Sequence, residues 1–387
     1  MKTIYNLRTR KEGVFTEKEI WGQPELWLKV YERIRKEKQT LSTYLNSVLS
    51  DDKLTVILTG AGTSAYIGLS LTGTFTHNFG KQTLAIPTTD LVTHPADYFY
   101  PDQSVLLVSF ARSGNSPESV AAARLADQLC AKVYHIIITC NGSGELANYD
   151  TRSSKYVFVL PEEANDKSLA MTGSYSGMLL SGLLLARYSE IDELKREVNI
   201  LIKYARQILA QADSLKLLAN LDFERAVFLG SGPLFGAATE SHLKVQELTD
   251  GRVICKNDTF LGFRHGPKAV INSKTLVFLL FSNQSYVNQY ETDLLESLNV
   301  GQKPLFTAGI SETAIDGINA DRLFVLSADG VQLNEEFLPV CYILPAQMIG
   351  YYKSLQLGMD PDSPSRSGAI SRVVKGVVIY PYENQEK

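Results

Sequence analysis

The sequence predicts an α/β protein made of two similar doubly wound domains, each built on a parallel sheet. From Leu54 onward, short apolar runs end in Gly, Ser or Thr and are each followed by a helical stretch. This alternation is typical of βαβ units. A glycine-containing turn opens each half in the same way, at Leu58–Ser64 and at Leu229–Pro233. We therefore expect two tandem domains rather than one large sheet.

The elements follow from the hydrophobic pattern. Residues 1–50 predict a polar helical extension, too short to be a domain, because apolar residues recur at helical steps from Glu25 to Ile34. The first domain is expected over residues 51–212 and the second over residues 213–387. The predicted strands cover residues 55–60, 104–109, 133–139 and 155–160 in the first domain, and 225–230, 275–281, 304–307 and 322–326 in the second. Helical segments are expected at 174–187 and 190–212.

Composition excludes several classes of protein. A chain of 387 residues with 44% hydrophobic and 21% charged content is ordinary for a globular protein. The net charge is −4 and the Lys and Arg residues are scattered, so the sequence contains no basic patch that could bind nucleic acid or an anionic membrane. No apolar run approaches the roughly 18 residues of a membrane span, and the start lacks a signal-peptide core. The four cysteines have no metal-site spacing, so we expect reduced thiols and a cytoplasmic protein.

Two loops of the first domain are suited to an anion. Gly60–Ser64 and Ala111–Ser116 each join a strand to a helix, where backbone N–H groups are free to bind a phosphate. Neither loop is a Walker sequence, and the third glycine of a dinucleotide fingerprint is missing. The alternative is that Gly, Ser and Thr only form tight turns and helix caps. Similarly, Ser168–Thr172 could add a third wall or merely cap the next helix. The hydroxyls in the two loops belong to Thr63, Ser64, Ser113 and Ser116.

A helix in the second domain carries candidate acid/base groups. A helix over residues 237–249 places Glu240, Lys244 and Glu247 on one stripe. A half-desolvated carboxylate there would have a raised pKa, which suits proton abstraction. The alternative is a solvated face on which Glu240 and Lys244 form an ordinary salt bridge. His265 stands before a Gly-Pro pair, and this favours acid/base chemistry because neither a helix nor a strand explains an imidazole on such a turn.

Four motifs in this order resemble the tandem sugar isomerase (SIS) domains of glucosamine-6-phosphate synthase: Gly60–Ser64, Ser113–Glu118, Leu243–Glu247 and Arg264–Pro267. The resemblance covers residues 50–380 and implies the flavodoxin-like SIS fold in both halves. No glutaminase half and no helix-turn-helix domain accompanies the pair. With its ending at residues 365–380, the chain is most similar to the AgaS family. Members of that family are described as tagatose-6-phosphate ketose/aldose isomerases and as galactosamine-6-phosphate deaminase/isomerases.

The resemblance implies roles for individual residues. Glu247 would move the proton between C1 and C2, and Lys244 would lie beside the substrate. His265 would assist ring opening from a neighbouring subunit, which implies a homodimer or higher homo-oligomer with shared active sites. Lys375 resembles a lysine that handles the open-chain sugar, although the longer segment before it leaves a surface lysine as an alternative. The expected substrate-binding residues are Gly62, Thr63, Ser64, Arg112, Ser113, Asn115, Ser116 and Thr172.

The implied reaction needs neither metal nor cofactor. An aldose phosphate opens, Glu247 takes the C2 proton, and the proton returns to C1 to give a ketose. With an amino group at C2, the product is an imine that water converts to tagatose 6-phosphate and ammonia. One alternative is a pure isomerase of galactose and tagatose 6-phosphates. Another is a non-catalytic phosphosugar-binding regulator, against which the presence of Glu247 and His265 argues.

Overall fold

The computed structural model describes residues 13–366, 368–372 and 376–383. Within them lie two parallel five-stranded sheets. The strand order is β2-β1-β3-β4-β5 in the first sheet and β7-β6-β8-β9-β10 in the second, so both follow the flavodoxin-like pattern. The predicted repeat of two doubly wound halves is therefore confirmed.

The first half begins with three helices and continues into the first sheet. The helices that precede the sheet are α1 (Val14–Trp21), α2 (Gln23–Lys36) and α3 (Lys38–Leu49). The strands are β1 (Leu54–Thr59), β2 (Thr83–Ala85), β3 (Ser104–Ala111), β4 (Lys132–Thr139) and β5 (Ser154–Val159). The other helices of this half are α4 (Thr63–Phe79), α5 (Thr88–Thr93), α6 (Pro117–Leu129) and α7 (Gly173–Ala186).

The second half repeats this alternation after two connecting helices, α8 (Lys195–Leu209) and α9 (Ala212–Ala219). Its strands are β6 (Arg225–Gly230), β7 (Ile254–Asp258), β8 (Thr275–Leu280), β9 (Phe306–Ser311) and β10 (Arg322–Val325). Its helices are α10 (Leu234–Leu248), α11 (Phe260–Phe263), α12 (Ser285–Ser297), α13 (Leu338–Tyr342) and α14 (Leu344–Gln356).

The N-terminal helices share the main hydrophobic core. Helix α2 packs against α7 and α8 and contributes fully buried side chains to the same cluster as both sheets. Its Trp27 is 0% exposed, and the indole N–H donates to the Ser176 hydroxyl at 2.9 Å. Every residue of α7 is buried, which agrees with its apolar character on all sides. The sheet of the first half is therefore covered on one face by helices that precede and follow it.

Helix α10 lies between the two halves. It packs against α4 of the first half and against α14 of the second. A Cβ atom at Gly236 would lie 2.6 Å from the Tyr66 carbonyl oxygen and 2.7 Å from the Ser70 backbone nitrogen. Only glycine allows α10 and α4 to approach so closely. Because of this contact, side chains of α10 lie close to the loops of the first sheet.

Several predicted boundaries were wrong. Strand β2 was missed because only three residues pair, and β7 because it is a partly exposed edge strand without an apolar run. The strand expected at 304–307 begins later, at Phe306, and extends to Ser311. The helix expected over 237–249 begins earlier, at Leu234, directly after the Gly232–Pro233 turn. The described part of the chain contains no helix of sufficient length and apolar character to cross a membrane.

Candidate active site

The site begins at the carboxyl ends of two adjacent strands. Strands β1 and β3 pair in register, with Thr59 opposite Ser109, so the loops that follow them leave the sheet side by side. At the first loop, Gly62 has a φ of 55°, a conformation that favours glycine. Helix α4 starts at the next residue. At the second loop, Ser116 precedes α6 and Pro117 occupies its first turn.

A cavity of about 190 Å³ lies at these two loops and extends to helix α10. Its wall includes hydroxyls from the first half and charged side chains from the second half. Eight of the residues predicted from the sequence line it together: Gly62, Thr63, Ser64, Arg112, Ser113, Ser116, Lys244 and Glu247. The further lining residues include Phe110, Ser119, Leu169, Met171, Ser371 and Arg372. The structure thus joins the predicted anion loops to the predicted acid/base helix.

Arg112 is held within the wall of this cavity. Its side chain is largely buried, and its guanidinium donates to the Leu169 carbonyl at 3.2 Å and to the Arg372 carbonyl at 2.5 Å. Burial lowers the pKa of Arg112 from its ordinary value, but a guanidinium remains charged at neutral pH. The cation therefore faces the cavity from a fixed position.

The C-terminal segment returns to the same cavity. Ser371 and Arg372 line it, although Arg372 is 260 positions from Arg112 in the sequence. The Arg372 guanidinium donates to the Asp166 carbonyl from Nε at 2.9 Å and to the Asn165 side chain from Nη2 at 2.9 Å. Sequence reasoning missed this second guanidinium, because only the run of Ser and Arg near the end of the chain marked the segment.

A buried lysine lies between two carboxylates on α10. Lys244 is 0% exposed, and its Nζ is 3.3 Å from Glu240 Oε1 and 2.5 Å from Glu247 Oε2. Glu240 is also 0% exposed and accepts a hydrogen bond from the Thr63 hydroxyl at 3.2 Å. Glu247 keeps 23% of its side chain exposed and lines the cavity. The alternative of a solvated helix face is therefore wrong for Glu240 and Lys244.

Burial and neighbouring charges shift the pKa values of this triad. Burial raises the pKa of Glu240 to about 8, against the opposing effect of the Lys244 ammonium. Burial alone would lower the pKa of Lys244, but the two carboxylates raise it above its ordinary value. Lys244 is therefore a cation at neutral pH. It orients Glu247 through a charge-assisted hydrogen bond.

Thr172 is not among the residues that line the cavity, so its role in substrate binding stays a prediction, although other residues of the predicted segment 168–172 do form a wall. The residue is 0% exposed, and its hydroxyl and backbone N–H both donate to the Asp166 carboxylate. Asp166 also accepts from the backbone N–H groups of Gly173 and Ser174, so this buried carboxylate caps α7. Leu169 and Met171 of the same segment reach the cavity instead.

Of three other predicted residues, two lie away from the cavity and one lies outside the residues that the structure describes. Asn115 is exposed, and its side-chain oxygen accepts from the Glu145 backbone N–H at 3.0 Å, which ties two loops together. His265 is exposed on the turn after α11 and is not among the residues that line this cavity. Its contribution from a neighbouring subunit stays a prediction. Lys375 lies outside the described residues.

The groups around the cavity can serve two chemical functions, anion binding and proton transfer. Hydroxyls, the N-termini of α4 and α6 and two guanidiniums can bind a phosphate group at one end of the cavity. A carboxylate within reach of the same space can accept a proton at the other end. No group of three or more His, Cys, Asp or Glu side chains that could hold a metal ion occurs among residues 13–366, 368–372 and 376–383. A larger cavity of about 890 Å³, between α6 and residues 377–382, includes none of the loop hydroxyls or α10 side chains.

Comparison with known proteins agrees with this architecture. The family model described as SIS domain matches residues 48–188. D-galactosamine-6-phosphate deaminase AgaS from Shewanella sp. (strain ANA-3) is 40% identical over 380 residues, which cover 97% of this chain and 94% of the relative. D-galactosamine-6-phosphate deaminase AgaS from Escherichia coli is 38% identical over 99% of this chain and 100% of its own length.

A solved structure is similar along the same length. The crystal structure of tagatose-6-phosphate ketose/aldose isomerase from Escherichia coli superposes with a TM-score of 0.87 at 35% identity, and the match covers 96% of this chain and 98% of that one. The resemblance expected from the four sequence motifs is confirmed. Identity of this extent along both chains, together with the paired sheets and the shared cavity, establishes that the chain belongs to the AgaS family of tandem SIS-domain proteins.

Proposed function

We propose that this protein is a phosphosugar isomerase that deaminates galactosamine 6-phosphate to tagatose 6-phosphate and ammonia. The observation that carries the proposal is that Glu247, on α10 of the second half, opens into the same cavity as the loop hydroxyls of the first half. The names of the two relatives that align along almost the whole chain support the amino-sugar substrate. The cavity supplies the two functions that such a reaction needs, a phosphate site and a base.

The phosphate is proposed to bind at the two loops of the first sheet. Ser64 stands in the first turn of α4 and Ser116 directly before α6, so both hydroxyls lie at helix N-termini that border the same cavity. Arg112 adds a fixed positive charge, and Arg372 adds a second from the C-terminal segment. Charge-assisted hydrogen bonds of this kind are about twice as strong as neutral ones.

The proton transfer is assigned to Glu247. In the open-chain aldosamine, the carboxylate takes the proton from C2, and the electron pair forms a C1–C2 double bond. The electron pair of the C1 carbonyl moves to O1, which takes a proton from solvent to complete the enolamine. The same proton, or one exchanged with solvent, then returns to C1. This leaves an imine at C2, to which water adds before ammonia leaves. Lys244 holds the carboxylate in position and balances its charge throughout.

The assembly and location are also proposals. An exposed His265 on a short turn is available to a neighbouring molecule, which supports a homodimer with shared active sites in which this imidazole assists ring opening. The four cysteines form no disulfide within the chain, and burial raises the pKa of the Cys140 and Cys255 thiols above their ordinary value. Unreactive, reduced thiols fit a cytoplasmic enzyme.

A second candidate function is isomerisation without deamination. The name of the Escherichia coli structure, a tagatose-6-phosphate ketose/aldose isomerase, favours it. The same base and the same phosphate site would serve a hydroxyl at C2 as well as an amino group. The two candidates differ only in whether nitrogen leaves.

Ammonia release tests the proposal directly. The protein is incubated with galactosamine 6-phosphate and, in parallel, with glucosamine 6-phosphate, while a coupled assay measures ammonia. We expect ammonia from galactosamine 6-phosphate in equal amount to tagatose 6-phosphate. Ammonia formed faster from glucosamine 6-phosphate would overturn the galacto assignment. Conversion of galactose 6-phosphate to tagatose 6-phosphate, with no ammonia from either amino sugar, would establish the second candidate instead.

A further inference from the structure

Three buried oxygen atoms behind the active site have no hydrogen-bond partner among the residues that the structure describes. They are Oε2 of Glu240 on α10, the hydroxyl of Tyr175 on α7 and the hydroxyl of Ser70 on α4. None of these residues is more than 3% exposed. Buried polar atoms without a partner are rare, because each costs about 1–3 kcal/mol. Three of them where helices α4, α7 and α10 meet call for a common explanation.

The three groups influence one another. Burial raises the pKa of Tyr175 well above its ordinary value, the Glu240 charge raises it further, and the Ser70 hydroxyl lowers it. Ser70 lies beside Gly236, four residues before Glu240 on α10, so the three side chains share one region of the interior. A water molecule with two to four polar partners is the usual occupant of such a buried polar site. Glu240 Oε2, Tyr175 and Ser70 supply three.

One end of this polar cluster reaches the base. Glu240 Oε1 is 3.3 Å from the Lys244 ammonium, which in turn is 2.5 Å from Glu247 Oε2. The other end reaches a second cavity of about 850 Å³, which Ser70 lines together with the exposed His77. Polar groups are therefore present at both ends, beside the active-site cavity and beside a separate cavity open to solvent.

We propose that Glu240 is a positioning residue through which Glu247 exchanges its proton, and that Tyr175, Ser70 and an internal water carry this proton to the second cavity. The proposal rests on the proposed function, because it describes what happens to the proton taken from C2. It adds a route out of the site that does not pass the bound substrate.

The proton balance of the route is simple. Lys244 first gives one of its protons to ionised Glu240, and the resulting amine then accepts the proton of Glu247, so the ammonium is restored. Glu240 then passes a proton to the internal water, and the hydroxyls of Tyr175 and Ser70 each accept one proton and release another toward the second cavity. Burial raises the pKa of Glu240 to about 8, so both of its protonation states are accessible near neutral pH.

The experiment follows the proton in deuterated water. Galactosamine 6-phosphate with hydrogen at C2 is converted to a small extent, and the deuterium at C1 of tagatose 6-phosphate is measured by mass spectrometry or NMR. Hydrogen at C1 reports direct transfer from C2, and deuterium reports exchange before return. The variants are Tyr175→Phe and Ser70→Ala, which each remove one hydroxyl. Tyr342→Phe is the matched control, since Tyr342 is also 0% exposed with an unpartnered hydroxyl but has Glu312 and Glu291 as acidic neighbours.

In Tyr175→Phe and Ser70→Ala, we expect exchange of the Glu247 proton with solvent deuterium to slow about tenfold relative to direct proton transfer from C2 to C1. This is the effect of one lost link in a hydrogen-bonded chain. KM should not change, and Tyr342→Phe should match the wild type. A loss of fold stability alone would lower the yield of active enzyme but leave the ratio of deuterium to hydrogen as it was. Wild-type ratios in both relay variants, with ammonia still released, would overturn the relay only. An absence of both ammonia release and C2 exchange in the wild type would overturn the proposed function and the relay with it.

Discussion

Replacement of Glu247 by Gln keeps the length and shape of the side chain but removes its basicity. If Glu247 takes the C2 proton, kcat should fall by a factor on the order of 10² to 10⁴, which is about 2.7 to 5.5 kcal/mol of lost transition-state stabilisation. The affinity for the sugar phosphate should change little, because the substitution leaves the proposed phosphate contacts, the two loops of the first half and Arg372, as they are.

The structure also predicts how well this variant folds. In Glu247→Gln the new amide oxygen can still accept a hydrogen bond from the Lys244 ammonium, and Glu240 remains 3.3 Å away. Loss of the Glu247 charge removes one of the causes that raise the pKa of Glu240, which favours the ionised form that balances the buried cation. The weaker hydrogen bond should cost about 1 kcal/mol, so the variant should fold. The exposed Glu296, on α12, provides the control variant Glu296→Gln.

The assay compares three measurements for both variants: ammonia release at saturating substrate, substrate affinity by calorimetry, and Tm. We expect Glu247→Gln to bind galactosamine 6-phosphate with near wild-type affinity, to retain a similar Tm and to lose turnover, while Glu296→Gln behaves as the wild type. Near-full turnover in Glu247→Gln would refute the assignment of this residue as the base.

Three further predictions concern binding, metal ions and pH. Ser64→Ala and Ser113→Ala should each raise KM about tenfold, the loss of roughly one charge-assisted hydrogen bond to phosphate, and an unchanged KM in both would move the phosphate elsewhere. Activity should survive EDTA, and a loss that added metal restores would contradict the metal-free mechanism. Burial raises the pKa of Asp127, but hydrogen bonds from His135, Thr151 and Ser153 lower it overall to below its ordinary value. The resulting stabilisation is present above the unfolded-state pKa of about 4 and is lost as pH falls below that value toward the lower folded-state pKa, so urea unfolding at about pH 5 and about pH 2.5 should show a larger loss in the wild type than in Asp127→Asn.

Much of the fold was predictable because strands buried on both sides have continuous apolar sequences. Strands β1, β3, β4 and β8 are of this kind, and each was predicted close to its observed bounds. The short strand β2 and the edge strand β7 have no such pattern, because most of their residues are not fully buried. Their pairing depends on the neighbouring strand rather than on local sequence.

The site was predictable only where its groups are carried by local motifs. The loop hydroxyls stand at strand-to-helix turns, which periodicity and glycine spacing locate. The burial of Lys244 was not predictable from a three- and four-residue spacing, because the same spacing is typical of an exposed helix surface. It depends on α4 packing over α10. Arg372 was missed for a related reason, since chain topology alone brings the C-terminal segment back to the first half.

We propose that one cavity holds the substrate between the phosphate loops of the first half and the Glu247 carboxylate of the second half. A crystal structure of Glu247→Gln with galactosamine 6-phosphate bound is the decisive test, because this variant should bind the substrate without converting it. We expect the phosphate within hydrogen-bond distance of Ser64 and Ser113, and C2 beside the side chain of residue 247. A substrate whose phosphate lies away from both loops, or whose C2 lies out of reach of residue 247, would show that the cavity does not bring these groups together on the substrate.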